Sequence, residues 1–452
     1  MNMSDKSVTK SGLGLPIRYL LVVWILVLSA VAYMDRTNVA VAGLPICSEF
    51  KIDNAHLGWI FSAFLVGYAC FQIPGGVLAR RFGSRRLLAI SVAWWAFFIA
   101  LTALLPRGVQ GALWILIAIR CSLGAGEAIM YPAANQFVER WFPIPERGKA
   151  NGIIFAGVGL GAGLSQPLLT AIVLAYGWRA SFRFCATLGI VAGAVWYLAA
   201  RSTPEEHPLV RKEELELIAS GRGDARPKNA QARAGGSTRT PWAKIVRSKE
   251  VLAVTYSYFT YGYVAWIFFS WFYIYLAQVR GLNLKTSAIY SMMPFIAMTL
   301  GSLVGGVISD GLTHRYSARM GRCILPAIAL GCTAVLLVAG SRAHNTVLAS
   351  IVLASGAGAL YISQSSFWSV TADYAGEHAG VVSGAMNMGG QIGGAVTASL
   401  TPLLAAHFGW GVSFLMATVL AASGAVAWLI VDPHARLAAA AGANTTGELA
   451  GA

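Results

Sequence analysis

Stretches of about twenty apolar residues recur along this chain and restrict it to folds that cross a lipid bilayer. A helix of about that length spans the hydrocarbon core of a membrane. Only 12% of the 452 residues are charged, against about 25% in an average soluble domain. We therefore predict an all-α membrane protein with twelve transmembrane helices, near residues 19–43, 55–79, 87–105, 111–136, 150–175, 181–200, 251–276, 287–310, 323–340, 346–370, 380–405 and 410–431.

The basic residues are distributed unevenly between the predicted loops. If both termini are cytoplasmic, 25 of the 34 lysines and arginines fall in inside segments, seven fall in outside loops and two lie within spans. An excess of Lys and Arg on the inner side is typical of inner-membrane proteins. The net charge of +15 therefore indicates a multi-pass protein of an inner (plasma) membrane with both termini cytoplasmic. It favours contact with membrane lipids and does not indicate a nucleic-acid partner.

One long polar segment, residues 201–250, divides the spans into two sets of six. We predict an N-terminal six-helix bundle over 1–200, a cytoplasmic linker over 201–250, a C-terminal six-helix bundle over 251–436 and a disordered tail over 437–452. Part of the linker, Glu205–Ser220, could form a short amphipathic helix.

The two predicted halves share a motif at the end of their second span. Gly75-Gly76 precedes a short basic loop in the first half, and Gly305-Gly306 precedes another in the second. Two similar halves place a binding site between them near the membrane midplane, and rocking of one half on the other opens it to either side.

Four ionisable residues lie deep within predicted spans: Asp35, Arg36, Arg120 and Glu127. A charge at that depth costs about 2.5–3.5 kcal/mol, so it is rarely present without a function. Arg120 and Glu127 lie on one helix face about 10.5 Å apart, too far for a direct pair. A carboxylate in low dielectric takes up a proton more readily, which makes Glu127 a candidate proton carrier. The alternative is a fixed ion pair between Glu127 and an arginine of another span.

Asp35 and Arg36 are adjacent and point about 100° apart. One can face a cavity while the other packs inside the bundle, and a guanidinium in a cavity suits a carboxylate or phosphate. The alternative is that the first span ends near Tyr33 and both residues are interfacial.

Several motifs together resemble the major facilitator superfamily and, within it, the anion:cation symporter family. The motifs are Tyr33-Met34-Asp35-Arg36-Thr37-Asn38, Phe71-Gln72-Ile73-Pro74-Gly75-Gly76, Arg120-x6-Glu127-x4-Pro132, Trp141-Phe142-Pro143 with Glu146-Arg147-Gly148, and Gly380-x3-Gly384-x2-Asn387-x-Gly389-Gly390. The chain departs from the family at Arg80, where an Asp that latches the cytoplasmic side is usual. The second copy of that motif keeps the acid, as Asp310.

The resemblance implies roles for these positions. It assigns proton coupling to Asp35, with Glu127, and binding of the substrate carboxylate to Arg36. It implies further substrate contacts at Tyr33, Tyr68 and Asn387, and we include Arg120 among the substrate-binding residues. It also implies a gating role for residues of the cytoplasmic loops: Arg80, Arg85 and Asp310.

The most favoured function is proton-coupled symport of a small organic anion by alternating access, with a sugar acid (hexonate, aldarate or hexuronate) as substrate. The alternatives are symport of an aromatic carboxylate such as phthalate, organic-anion exchange, and sensing of an anion by a transporter-like protein. We predict no enzymatic activity and no metal, because the chain has no Walker A, HExxH, GxSxG or CxxC motif. We predict no cofactor beyond the coupling proton, and a monomer.

Overall fold

The fold is known from a computed structural model, which describes residues 16–143, 146–221, 242–375, 379–433 and 435. The regular structure of these residues is helical, so the all-α prediction is confirmed. The predicted tail, 437–452, lies outside the described residues. The helices are α1 (Ile17–Phe50), α2 (Asn54–Phe82), α3 (Ser84–Ala103), α4 (Ala112–Glu127), α5 (Met130–Trp141), α6 (Arg147–Tyr176), α7 (Trp178–Ala199), α8 (Lys212–Gly221), α9 (Trp242–Arg247), α10 (Lys249–Ser270), α11 (Phe272–Gln278), α12 (Leu284–Arg315), α13 (Leu325–Arg342), α14 (Thr346–Ile362), α15 (Gln364–Ala375), α16 (Ala379–Phe408) and α17 (Trp410–Ile430).

Ten segments of the described chain are long and apolar enough to cross a bilayer. They coincide with the predicted spans one to six, eight to ten and twelve. Helices α10 and α16 occupy the positions predicted for spans seven and eleven. Helices α1–α7 make up the first half of the molecule and α10–α17 the second.

Helix α1 continues without interruption through the first charged pair. Its 34 residues give it a length of about 51 Å, well beyond the roughly 30 Å hydrocarbon core. The helix ends only at Phe50, where Lys51 adopts a left-handed conformation and its N–H returns to the Cys47 carbonyl. Asp35 and Arg36 therefore lie near the middle of the span, and the interfacial alternative is excluded.

Consecutive spans run in opposite directions and define two faces of the molecule. The linker face carries residues 83, 142, 143 and 146 and residues 200–211; the distal face carries residues 51–53, 104–111 and 177. Helix α2 packs on α16, and α6 packs on α12, so these pairs join the halves.

Hydrogen bonds between the halves lie toward the distal face. The Asn54 amide donates to Gln278 at 3.0 Å, and the Ser62 hydroxyl donates to the Ala395 carbonyl at 2.6 Å. Near them α2 touches α16 so closely that a Cβ added at Gly58 would clash with the carbonyl oxygen of Ala398. These contacts close the molecule on its distal face.

The first part of the linker docks on the first half. The Glu214 carboxylate on α8 accepts the backbone N–H groups of Ile17 and Arg18 at 3.3 and 3.2 Å, and the Arg18 guanidinium at 3.1 Å. Arg18 also pairs with Glu146 at 3.2 Å. Because the first N–H groups of a helix lack internal partners and favour a negative charge, Glu214 caps α1 from a distant part of the chain.

This docked helix differs from the amphipathic segment suggested over Glu205–Ser220. A 3₁₀ turn covers Pro204–Glu206, and the α-helix starts only at Lys212. It contacts protein through a buried carboxylate, Glu214.

Candidate functional site

A buried ion pair between α1 and α4 lies at the centre of the first half. The Arg36 Nε donates to Glu127 Oε2 at 2.8 Å, and the two side chains are 2% and 0% exposed. This is a single-point contact, because Arg36 Nη2 and Glu127 Oε1 have no hydrogen-bond partner among the described residues. Each member of the pair therefore retains capacity for another partner.

Aromatic rings surround the Arg36 guanidinium. Its central carbon lies 4.3 Å from the ring centroid of Tyr33, 4.9 Å from that of Tyr68 and 5.2 Å from that of Phe64. A cation over an aromatic face is attracted by the ring, more strongly where water is excluded. The rings stabilise the charge and restrict the orientation of the guanidinium.

Arg120 shares part of this aromatic surface. It is only 2% exposed, and its guanidinium carbon lies 4.9 Å from the Phe64 centroid. Its Nε and Nη1 have no hydrogen-bond partner within the described structure. As the seven-residue spacing predicts, Glu127 does not pair with Arg120. It forms an ion pair with an arginine of another span, which was the alternative interpretation of this residue.

Asp35 is buried inside the first bundle, between α1 and α7. It is 1% exposed and lies beside the Cys185 thiol of α7. Next to it the Asn38 side chain accepts a hydrogen bond from Ser181 at 2.8 Å. Apart from the weakly polar Cys185 thiol, neither Asp35 oxygen has a hydrogen-bond partner in the described part of the chain. A charged carboxylate buried in this way is strongly unfavourable unless it gains a proton or a partner.

The facing wall of the second half is built from tyrosines. Tyr258 and Tyr261 of α10 stack at 5.0 Å between centroids, and Tyr261 lies 5.4 Å from Tyr361 of α14. The Gln364 amide of α15 donates to the Tyr258 hydroxyl at 3.5 Å. Tyr361 is close enough to Arg36 for the two to interact electrostatically, so this uncharged wall faces the charged cluster.

Aromatic side chains from both halves meet at the level of the charged cluster and on its distal side. Tyr33 contacts Phe269 at 5.7 Å, Phe64 contacts Trp266 at 6.3 Å and Phe61 contacts Trp271 at 5.4 Å between ring centroids. We call these six residues the aromatic plug. Two of its members, Tyr33 and Phe64, also contact the Arg36 guanidinium, while its Phe61–Trp271 pair lies nearer the distal face.

The structure brings together most of the residues proposed for substrate and proton binding. Tyr33, Arg36, Tyr68, Arg120 and Glu127 form one cluster, and Asp35 lies close enough to Arg120 and Glu127 to interact with them electrostatically.

Asn387 is half-buried on α16. Its described contacts do not join it to Arg36.

Two of the proposed gating residues, Arg85 and Asp310, make separate contacts in different halves. Arg85 donates to the Tyr197 carbonyl at 3.0 Å within the first half. Asp310 pairs with Arg322 at 3.1 Å within the second. The side chain of Arg80 lies outside the described residues.

Sequence reasoning missed three residues of the site: Phe64, Tyr361 and Cys185. Phe64 precedes Tyr68 by one helical turn and so shares its face, a signal that was available. For Tyr361 and Cys185 the position depends on how separate helices pack, which no local pattern shows.

Comparisons with known proteins agree with this architecture. The model of the Major Facilitator Superfamily matches residues 25–398. A probable sulfoacetate transporter, SauU of Cupriavidus necator, is 31% identical over 89% of this chain and 91% of its own length. A probable galactarate/D-glucarate transporter, GarP of Escherichia coli, is 29% identical over 85% of this chain and 87% of its own.

Solved structures share the fold at low sequence identity. A bacterial homologue of the human lysosomal transporter Spinster, in an inward-facing and unoccupied conformation, has a TM-score of 0.72 at 17% identity over 92% of this chain and 98% of its own. A D-xylose-proton symporter has a TM-score of 0.70 at 14% identity over 92% of this chain and 98% of its own.

Proposed function

Since this chain belongs to the Major Facilitator Superfamily, whose members are transporters and not enzymes, we propose that it imports a small organic anion together with a proton. The favoured substrate is a sugar acid, and the halves over 1–200 and 251–436 rock about the site between them. The observation that carries the proposal is the single-point ion pair of Arg36 with Glu127 beside the unpaired Asp35.

The ion pair supplies a mechanism for coupling. While Glu127 is ionised, its carboxylate is paired with the Arg36 guanidinium, which is then less available to a substrate. A proton on Glu127 removes its charge and releases the guanidinium fork, which then binds the substrate carboxylate bidentately. Proton and anion therefore favour each other at one arginine.

Asp35 offers a second place for a proton. Apart from the Cys185 thiol, its carboxyl group is buried without a hydrogen-bond partner in the described structure, so its ionised form has little compensation for the loss of water. With both acids ionised the four charges cancel. Each proton taken up adds one positive charge and strengthens the attraction for an anion.

The facing half supports a substrate rich in hydroxyl groups. Buried polar atoms without a hydrogen-bond partner in the described chain occur on Tyr261, Gln364, Ser365 and Gln391 there, and on Gln166 of α6. Buried polar groups of native proteins are normally hydrogen-bonded, so a ligand with several hydroxyls would satisfy them. A sugar acid fits this requirement. One relative of this chain is named as a probable galactarate/D-glucarate transporter, which supports the same substrate class. The tyrosine wall also suits a planar aromatic carboxylate, the second candidate.

Placing the linker face in the cytoplasm, as the distribution of basic residues favours, gives the structure a physiological orientation. The closed distal face then lies on the outer side. The structure would represent the inward-facing half of the transport cycle.

Transport by the purified protein in liposomes tests the proposal. A thermal-shift screen of sugar acids, sulfoacetate and phthalate first identifies a ligand, since ligand at 100 times its dissociation constant adds about 2.7 kcal/mol of stability. Uptake is then measured with and without an imposed pH gradient, next to counterflow at equal pH. Accumulation that depends on the gradient supports symport. Counterflow without gradient dependence indicates exchange, and binding without movement indicates a sensor.

A further inference from the structure

A second cavity, of about 300 Å³, opens on the linker face of the first half. It lies at the start of α3 and the end of α5, far along the bundle from the Arg36 cluster. Four arginines line it, Arg81, Arg85, Arg86 and Arg140, while Glu206 contributes one carboxylate among its described lining residues. Arginines therefore outnumber carboxylates among the described lining residues.

The arginines are arranged to receive an anion. Arg85 is fixed, because its Nε donates to the Tyr197 carbonyl at 3.0 Å and its guanidinium lies 4.5 Å from the Tyr197 ring centroid. Arg81 and Arg86 are exposed and free to adjust. Guanidinium groups around one space repel each other unless an anion lies between them, and their planar fork matches phosphate oxygens.

Exposed apolar side chains flank the cavity at the ends of membrane spans. Phe82 lines the cavity and is 48% exposed. On the neighbouring end of α7, Tyr197 and Leu198 are 44% and 72% exposed. Exposed aromatic residues at the end of a membrane span lie at the headgroup level of the lipid. A basic cavity next to such a surface can accept a headgroup while the acyl chains remain in the membrane.

We propose that this cavity is a phosphate site that binds the headgroup of an anionic phospholipid from the leaflet on the linker face. The phosphate lies among Arg81, Arg85, Arg86 and Arg140, and the acyl chains run along Phe82 and Leu198. Inorganic phosphate from solution is the other source of the same chemistry. The site is separate from the proposed transport site.

Native mass spectrometry of the full-length protein in detergent tests the proposal. Phosphatidylglycerol and phosphatidylcholine are titrated against the wild type and against the double variant Arg81→Gln/Arg86→Gln. The matched control is Arg107→Gln/Arg342→Gln, which removes two exposed arginines from the distal face. Melting temperatures without lipid verify that all three proteins are equally folded.

The expected result is one phosphatidylglycerol bound in preference to phosphatidylcholine. The Arg81/Arg86 variant should bind it about tenfold or more weakly, since basic residues contribute additively to attraction for anionic lipid, and the control should match the wild type. If millimolar inorganic phosphate raises the melting temperature of the wild type but not of the variant, and lipid binding does not distinguish them, the phosphate comes from solution. Equal behaviour of both double variants toward lipid and phosphate would overturn the site.

Discussion

The two halves of the molecule share a helical arrangement but divide the chemistry unequally. The first half buries Asp35, Arg36, Arg120 and Glu127. At the same depth, the described part of the second half presents tyrosines and amides, and its Asp310–Arg322 pair lies near the linker face. A duplicated fold therefore need not duplicate function: one half can carry the charge chemistry while the other provides a neutral wall.

The strongest test of this division is Arg36→Lys. Lysine keeps the charge but loses the fork, so substrate binding should fall by about 2–5 kcal/mol, the range for one member of a buried charge pair. Ligand-induced thermal shifts measure the loss. The matched control is Arg179→Lys, because Arg179 pairs with Glu49 at 2.6 Å near the distal face. Wild-type affinity in Arg36→Lys would show that Arg36 does not bind the carboxylate.

Glu127→Gln should separate binding from coupling. The amide imitates the protonated acid, so the variant should bind the anion and perform counterflow, yet fail to accumulate substrate against a gradient. Wild-type binding should strengthen as pH falls, because the proton releases Arg36, and this pH dependence should weaken in the variant. Binding of labelled substrate across a pH series provides the measurement.

Asp35→Asn is a comparison variant for Glu127→Gln. It removes the acid that is not paired with an arginine and leaves the Arg36–Glu127 pair intact. It too should abolish accumulation. Accumulation at the wild-type level by Glu127→Gln would leave that residue with a structural role only.

Changes in the second half should alter selectivity without altering coupling. Tyr261→Phe removes a buried hydroxyl whose polar neighbour in the described structure is the Tyr361 hydroxyl. If a substrate hydroxyl bonds to it, affinity should fall by about 0.5–1.5 kcal/mol, with less effect on a substrate lacking hydroxyls. A competition assay between glucarate and phthalate measures the change in relative affinity for the two substrates. A change in proton dependence instead would contradict the division between the halves.

The smallest effect concerns the linker. Glu214→Gln should lower the free energy of unfolding by about 0.5–2 kcal/mol, the usual contribution of a helix cap. Glu213→Gln is the control, because Glu213 is exposed on the same helix. Melting temperatures of the two variants measure the contribution; identical values would mean that the cap is not stabilising.

Much of this architecture was accessible from the sequence. The length of the apolar stretches predicted the membrane spans. The isolated charges within those stretches identified four candidate site residues: Asp35, Arg36, Arg120 and Glu127. Local spacing also predicted that Glu127 pairs across the bundle.

Local spacing could not identify Arg36 as the partner, because that depends on the rotation of α1 against α4. Nor could it show that Glu214 caps Arg18, since the two are 196 residues apart and no periodicity links them.

The balance of charges in the Arg36 cluster has a consequence for the membrane voltage. With Asp35 and Glu127 ionised, the core is neutral. One proton balances a monocarboxylate, and two balance a dicarboxylate. A dicarboxylate accompanied by a single proton would move one negative charge against an inside-negative potential, at about 2.3 kcal/mol per 100 mV. A carrier with two protonatable acids can thus import either a monocarboxylate or a dicarboxylate without moving net negative charge against the membrane potential.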